Sequence, residues 1–189
     1  MFVAKDMLDK SGQEEIIAAA RELVIEKGAE LTTLADIARQ AGISNETLKS
    51  FYSAKNEVYF ALAERQILEI SNQLLSWIEE VRQEEAPEKI FQAAFDKIVS
   101  EELWGKLHLY LVKEAINHDV SLKMLFRQKY QAWRKIVEDT LAKFLHVDTD
   151  YRIFAQIIIA ALDGFLIQTL LGVEGISSEE IAGFVLGGC

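Results

Sequence analysis

Residues 33–53 read TLADIARQAGISNETLKSFYS, and this stretch decides the fold. Two short helices that cross at close range need a small residue at the crossing, a glycine in the turn and apolar side chains sealing the contact. Ala38 supplies the first and Gly42 the second, while Ile37, Ala41, Ile43, Leu48 and Phe51 fall at the sealing positions. Each helix also carries its own start signal. Thr33 and Asp36 stand at capping-box spacing, and Ser44 is placed to cap the second helix. The stretch is therefore expected to be a helix-turn-helix.

With Leu48 and Phe51 facing inward, helical geometry turns Asn45, Glu46, Lys49 and Ser50 outward. In a major groove Asn can pair bidentately with adenine, Lys can donate to guanine and Glu can accept from the cytosine amino group. Thr33 and Lys55 each begin a helix flanking the motif, where backbone N–H groups and the helix dipole attract phosphate. Together with Ser44 and Thr47 at the start of the second helix, these residues form the candidate DNA-contacting set. Capping alone, or an ordinary solvated helix face, is the alternative role for each of them.

Outward from the motif, helical signals continue in both directions. Ser11 and Glu14 have capping-box spacing ahead of the stripe Ile16, Ile17, Ala20, Leu23 and Val24, which Gly28 ends. Ser53 is placed to cap a long fourth helix running past Trp77, and the only proline, Pro87, opens a fifth. Breaks near residues 117–119 and at Asp148-Thr149-Asp150, then Ser177 with Glu180, divide the remainder into further helices. An all-α protein of about nine helices is expected: a three-helix headpiece in residues 1–55 on a helical bundle in residues 56–189.

The formal net charge is −10, and residues 1–55 hold seven Lys/Arg against nine Asp/Glu, so the headpiece is not basic. This balance argues against non-specific attraction to nucleic acid. The single cysteine, Cys189, permits no intrachain disulfide, and the N-terminus has no secretory pattern, so a cytoplasmic location is expected. The run Ile153–Val173 approaches the length of a membrane span but holds Asp163 at its centre, which favours a helix buried in protein. Ala160 and Gly164 lie four apart within it and allow close backbone approach, so Ile157, Ala160, Ala161, Gly164 and Gln168 are candidates for a subunit interface.

The chain between Trp77 and Phe165 is rich in large rings. Most serve a bundle core, yet a ligand pocket between the helices would draw its lining from Phe91, Phe95, Trp104, His108, Tyr110, Phe126, Tyr130 and Trp133. Asn117, His118, Gln156, Asp163 and Gln168 add polar groups that could orient a ligand. An apolar or aromatic effector is the expectation. The three histidines, His108, His118 and His146, form no Glu-x-x-His pair and no two are four apart, and no glycine-rich phosphate loop occurs. Neither an enzyme nor a metal or other cofactor is expected.

The segments IIAAARELVIEKGAELTTLADIARQAGIS and NETLKSFYSAKNEVYFALAE, within residues 16–63, resemble the DNA-binding headpiece of the TetR family of transcriptional regulators. The resemblance implies a two-fold homodimer joined through its last two long helices, and a repressor released from a pseudo-palindromic operator by a small ligand. It also implies phosphate contacts from Thr33 and Lys55 and base reading by the third helix. The sequence departs from the family pattern at Glu46, where a small residue is usual, at Lys49, where Tyr is usual, and at Ser50, where an aromatic residue or His is usual. A helical protein-interaction module with degenerate DNA binding is the alternative that Glu46 and the acidic headpiece suggest.

Overall fold

A computed structural model describes residues 2–81, 84–145, 150–173 and 175–187. Its elements are helices throughout: α1 (Phe2–Leu31), α2 (Leu34–Gln40), α3 (Asn45–Phe51), α4 (Lys55–Val81), α5 (Pro87–Val99), α6 (Glu102–Asn117), α7 (Val120–Leu145), α8 (Tyr151–Leu170) and α9 (Ser178–Gly187). The chain divides into two compact units, Met1–Ile67 and Leu68–Cys189. His146, Asp148, Thr149 and Cys189 lie outside the described residues.

In the first unit α1 packs on α2 and α2 on α3. Ile16, Ile37, Leu48, Val58, Tyr59 and Leu62 are essentially inaccessible to solvent. Burying each such side chain contributes about 1.5–3 kcal/mol. A helix cap contributes about 1 kcal/mol, so packing dominates this unit and caps refine it. The ring of Phe51 lies against Gly12, where an added Cβ would come within 3.1 Å of the ring. The chain breaks at Gly28, with φ 84° and ψ 160°, as its glycine signal indicates. Thr32 then turns its hydroxyl inward and donates to the Gly28 carbonyl at 2.9 Å, which explains how a fully buried polar side chain is tolerated. One expectation fails. Ser11 lies inside α1, which begins at Phe2, so it is not an N-cap.

In the second unit Pro87 takes the first position of α5, where its missing N–H costs nothing. α6 and α8 approach closely, because a Cβ on Gly105 would meet Leu166 Cδ1 at 2.7 Å. Leu141, Tyr151 and Ile158 form a core cluster with Phe91, Val137, Phe154 and Leu162 packed on it. Asp150 caps α8 by accepting the Arg152 N–H, and Ser177 and Glu180 cap α9 reciprocally.

α8 is the one helix among the described residues long and apolar enough to cross a membrane. It is a core helix on one face only. Tyr151, Ala155, Ile158, Ile159 and Leu166 are buried, whereas Ile153, Ile157, Ile167 and Leu171 are exposed. The expectation of a helix buried in protein is therefore met along one face only, and the opposite side is an apolar stripe exposed among the described residues.

A Cβ at Gly28 or Gly42 would meet nothing within 4 Å, so substitution there isolates backbone strain. Gly28 occupies a region open essentially to glycine alone, and Gly28→Ala is expected to cost about 1–3 kcal/mol in urea unfolding. Gly42, at φ 68°, is left-handed, and Gly42→Ala is expected to cost about 1–2 kcal/mol. Wild-type midpoints for both variants would contradict the backbone account.

Candidate nucleic-acid interface and ligand cavities

Local hydrogen bonds fix the geometry of the helix-turn-helix. Thr33 caps α2: its hydroxyl oxygen accepts the Asp36 N–H at 3.2 Å, and Asp36 accepts the Thr33 N–H at 3.1 Å. At the other end of α2 the Ile43 N–H reaches the Ala38 carbonyl at 3.0 Å and the Gly42 N–H reaches the Arg39 carbonyl at 3.2 Å. These two bonds close the turn as a Schellman motif, which needs the left-handed glycine. Ser44 then caps α3 by accepting the Thr47 N–H at 3.1 Å.

This frame orients α3. Leu48 is buried and Phe51 half-buried, while Asn45, Glu46, Thr47, Lys49 and Ser50 are exposed, along with Ser44 and Thr33. The Glu46 carboxyl sits at the start of α3, where its own N–H and the Ser44 side chain hold it below the ordinary carboxylate range, so it carries a full negative charge at neutral pH. The Ser50 hydroxyl donates to the Thr47 carbonyl at 2.7 Å. Lys55 is turned inward: its ammonium donates to the Ala29 carbonyl at 3.1 Å and lies over the Tyr59 ring. Tyr59 donates to the same carbonyl at 3.1 Å, so both residues satisfy the chain end just past Gly28.

Asp36 is a positioning residue whose reach the spacing with Thr33 only partly reveals. Besides its capping bonds it accepts the Thr33 hydroxyl at 2.8 Å, Lys27 at 2.7 Å and Arg39 at 2.6 Å. Lys27 and Thr33 are the chief causes holding its carboxyl far below the ordinary range. It ties α1 to α2 through Lys27, nine residues away, a pairing that no local pattern announces.

In the second unit the eight candidate pocket residues separate into three places. Phe91 and Phe95 line a cavity of about 160 Å³ with Ile78, Ile90, Ile136 and Leu162, and its lining is apolar except for Thr140. Trp104, His108, Phe126, Tyr130 and Trp133 form a packed cluster elsewhere. His108, only 3% exposed, stacks on Trp104 with centroids 4.9 Å apart and meets Phe126 edge-on at 5.6 Å. Tyr130 donates to Asp163 at 2.6 Å, and its hydroxyl lies 3.2 Å from His108 Nε2. Burial and the Asp163 carboxylate push the Tyr130 phenol far above its ordinary range, so it stays protonated. Tyr110 belongs to neither group and sits under the Lys113 ammonium.

Of the polar candidates, Asp163 joins the Tyr130 cluster and Gln156 accepts from Arg134, whereas Asn117 and His118 end α6 and are exposed. Ile157, Ala160 and Gln168 are exposed and Ala161 and Gly164 half-buried, all along the apolar stripe of α8. A wall of Ile78, Ile90, Ile98 and Ile136 is what a reading for aromatic rings missed.

Residues 16–62 match the family model described as "Bacterial regulatory proteins, tetR family". No curated protein sequence matches the chain. Among solved structures, a transcriptional regulator from Rhodococcus sp. RHA1 is similar at TM-score 0.74 and 15% identity, over 93% of this chain and 92% of that one. Thermus thermophilus FadR, a TetR-family repressor in complex with lauroyl-CoA, is similar at TM-score 0.67 and 18% identity, over 93% and 91%. A transcriptional regulator from Saccharomonospora viridis in complex with choline is similar at TM-score 0.63 and 18% identity, over 93% and 94%. At these identities the likeness is one of fold.

Because the Asp36 carboxyl titrates below its unfolded value, its stabilisation is present above the ordinary aspartate range and is lost as pH falls toward the lowered value. Asp36→Asn is thus expected to lower the stability of the first unit at neutral pH, with the gap to wild type narrowing on acidification. Urea unfolding across a pH series measures it, and a gap independent of pH would remove the ion-pair contribution.

Proposed function

With a TetR-family helix-turn-helix headpiece at residues 16–62, we propose that this chain is a transcriptional regulator, acting as a repressor, that binds a pseudo-palindromic operator as a homodimer. The observation that carries the reading is the exposed outward face of α3, held on a capped and glycine-closed frame. Asn45 and Lys49 supply the base-reading donors, and Glu46 suits a cytosine amino group. Thr33, Ser44, Thr47 and Ser50 contribute hydroxyls toward the backbone or base edges. Lys55, engaged with the end of α1, acts on DNA chiefly by fixing that end.

Residues 1–55 would then hold the DNA-binding function and residues 56–189 ligand binding and dimerisation. The stripe of α8, with Ile157, Ala160, Ala161, Gly164 and Gln168, supports a subunit interface, since an apolar helix face of this length is costly to leave in water. The apolar cavity beside Phe91 and Phe95 supports an effector with an aliphatic or aromatic part. Between the two ligand classes bound by the similar structures, the acyl type suits this chain better. A quaternary ammonium would need an open aromatic cage, and the rings of Trp104, Phe126, Tyr130 and Trp133 are already occupied by His108. A cytoplasmic location follows from this role.

A protein-docking module is the second reading, favoured by the charged Glu46. Selection of bound fragments from genomic DNA, followed by a salt series, separates the two. The regulator gives symmetric sites whose affinity falls linearly on a log–log salt plot, and absence of any selected fragment sinks it. Lys49→Ala is expected to weaken operator binding by about tenfold, the loss of one charge-assisted contact, without changing the melting temperature. For the dimer, Ile157→Glu should yield a monomer by light scattering with no operator binding. In the wild-type complex the two α3 helices should stand about 34–36 Å apart. A wild-type monomer at micromolar concentration would overturn this arrangement.

A further inference from the structure

A second opening in the C-terminal unit has a chemistry unlike the apolar cavity and shares no residue with it. It lies between α6 and α7 and has a volume of about 460 Å³, within the range of small-molecule sites. Its wall is apolar, formed by Val112, Ala115, Ile116 and Phe126. Its charged lining is cationic only: Lys123, Arg127 and Arg134, with no acidic side chain among the lining residues. In a chain of net charge −10, three cations on one groove run against the overall balance.

Neither Lys123 nor Arg127 has an acidic partner among the described residues. On α7 the three stand four and seven residues apart, so at the helical rise they lie about 6 and about 10 Å apart along one side. Arg134 is fixed at the far end, its Nε donating to the Tyr130 carbonyl at 3.2 Å and its Nη1 to Gln156 of α8. An anion offers this guanidinium a stronger acceptor than the Gln156 amide oxygen. Tyr130, whose hydroxyl donates to Asp163 of α8, also faces the groove. Two lining residues are therefore bonded directly to α8.

We infer that this groove is a binding site for an anionic amphiphile, whose carboxylate or phosphate is held by Arg127, Lys123 and Arg134 while its apolar part lies on Val112, Ile116 and Phe126. The charge pattern carries this inference and the apolar wall gives the tail its place. The site goes beyond the effector cavity proposed above, because filling one leaves the lining of the other intact.

Calorimetric titration of the full chain with dodecanoate, and with dodecyltrimethylammonium as a tail of equal length and opposite charge, tests it below the micelle concentration of each. Dodecanoate should bind saturably and more weakly as salt is added. The double variant Lys123→Gln/Arg127→Gln, altered only at exposed positions, should melt as wild type and bind dodecanoate at least about tenfold more weakly. Ala94→Phe, which fills the cavity beside Phe95, should leave the salt-dependent binding unchanged, even where an acyl chain also enters that cavity. Equal binding by the double variant, equal binding of the cationic amphiphile, or no saturable uptake of dodecanoate overturns the site. Loss of binding in Ala94→Phe with retention in the double variant would place the ligand in the cavity, supporting the effector reading while rejecting this one. Binding of a DNA duplex to the groove cations in place of dodecanoate would also reject it.

Discussion

The close crossing of α2 and α3 at Ala38 and Gly42 is the constraint on which the interface depends. The Schellman turn needs a left-handed residue, and once Gly42 provides it the Ile43 and Gly42 N–H groups close onto α2, fixing where α3 begins. Ser44 then caps α3 and Leu48 sets its rotation about its axis. Which side chains face outward is thus decided by packing, before any contact with DNA. A recognition face built this way is presented rigidly, and little ordering entropy remains to be lost on binding.

That is also why this part of the molecule was legible from sequence. Its determinants are spaced three to five residues apart, Thr33 to Asp36, Ala38 to Gly42 and Ile43, Ser44 to Thr47, and such spacings translate directly into bonds. The features that were not legible join distant residues. Nothing in the sequence says that Gly12 receives the ring of Phe51, that Lys27 reaches Asp36, or that Lys55 turns back to the end of α1. The same limit divided the candidate pocket. The candidate rings of α5, α6 and α7 look alike in sequence, yet Phe91 and Phe95 face a cavity, Tyr110 lies beneath Lys113, and Trp104, Phe126, Tyr130 and Trp133 close around His108.

α8 links the chemistry of the C-terminal unit. Leu166 on one side packs so closely on Gly105 that no larger residue fits there without displacing it. Asp163 and Gln156 accept hydrogen bonds from Tyr130 and Arg134 of α7, and the opposite apolar stripe is left uncovered. α8 thus has one face in the core, one edge in a polar network and an exposed apolar face among the described residues. The half-buried Tyr130 hydroxyl donates to Asp163 and also lies 3.2 Å from His108 Nε2, so this network joins α6, α7 and α8.

The acidity of the chain opposes the DNA role proposed above only within the reach of screening. At physiological ionic strength charges are screened beyond about 8 Å, so most of the net charge of −10 would have little influence on a phosphate brought to α3 by the proposed role. What such a phosphate or base meets is local: Asn45, Lys49, the hydroxyls of Ser44, Thr47 and Ser50, and the carboxylate of Glu46. Glu46 does not cancel Lys49 evenly. Its carboxylate is drawn back onto its own N–H and toward Ser44, satisfying the positive end of α3. The carboxylate is therefore engaged with the cap, and Lys49 is the exposed cation of the same helix face.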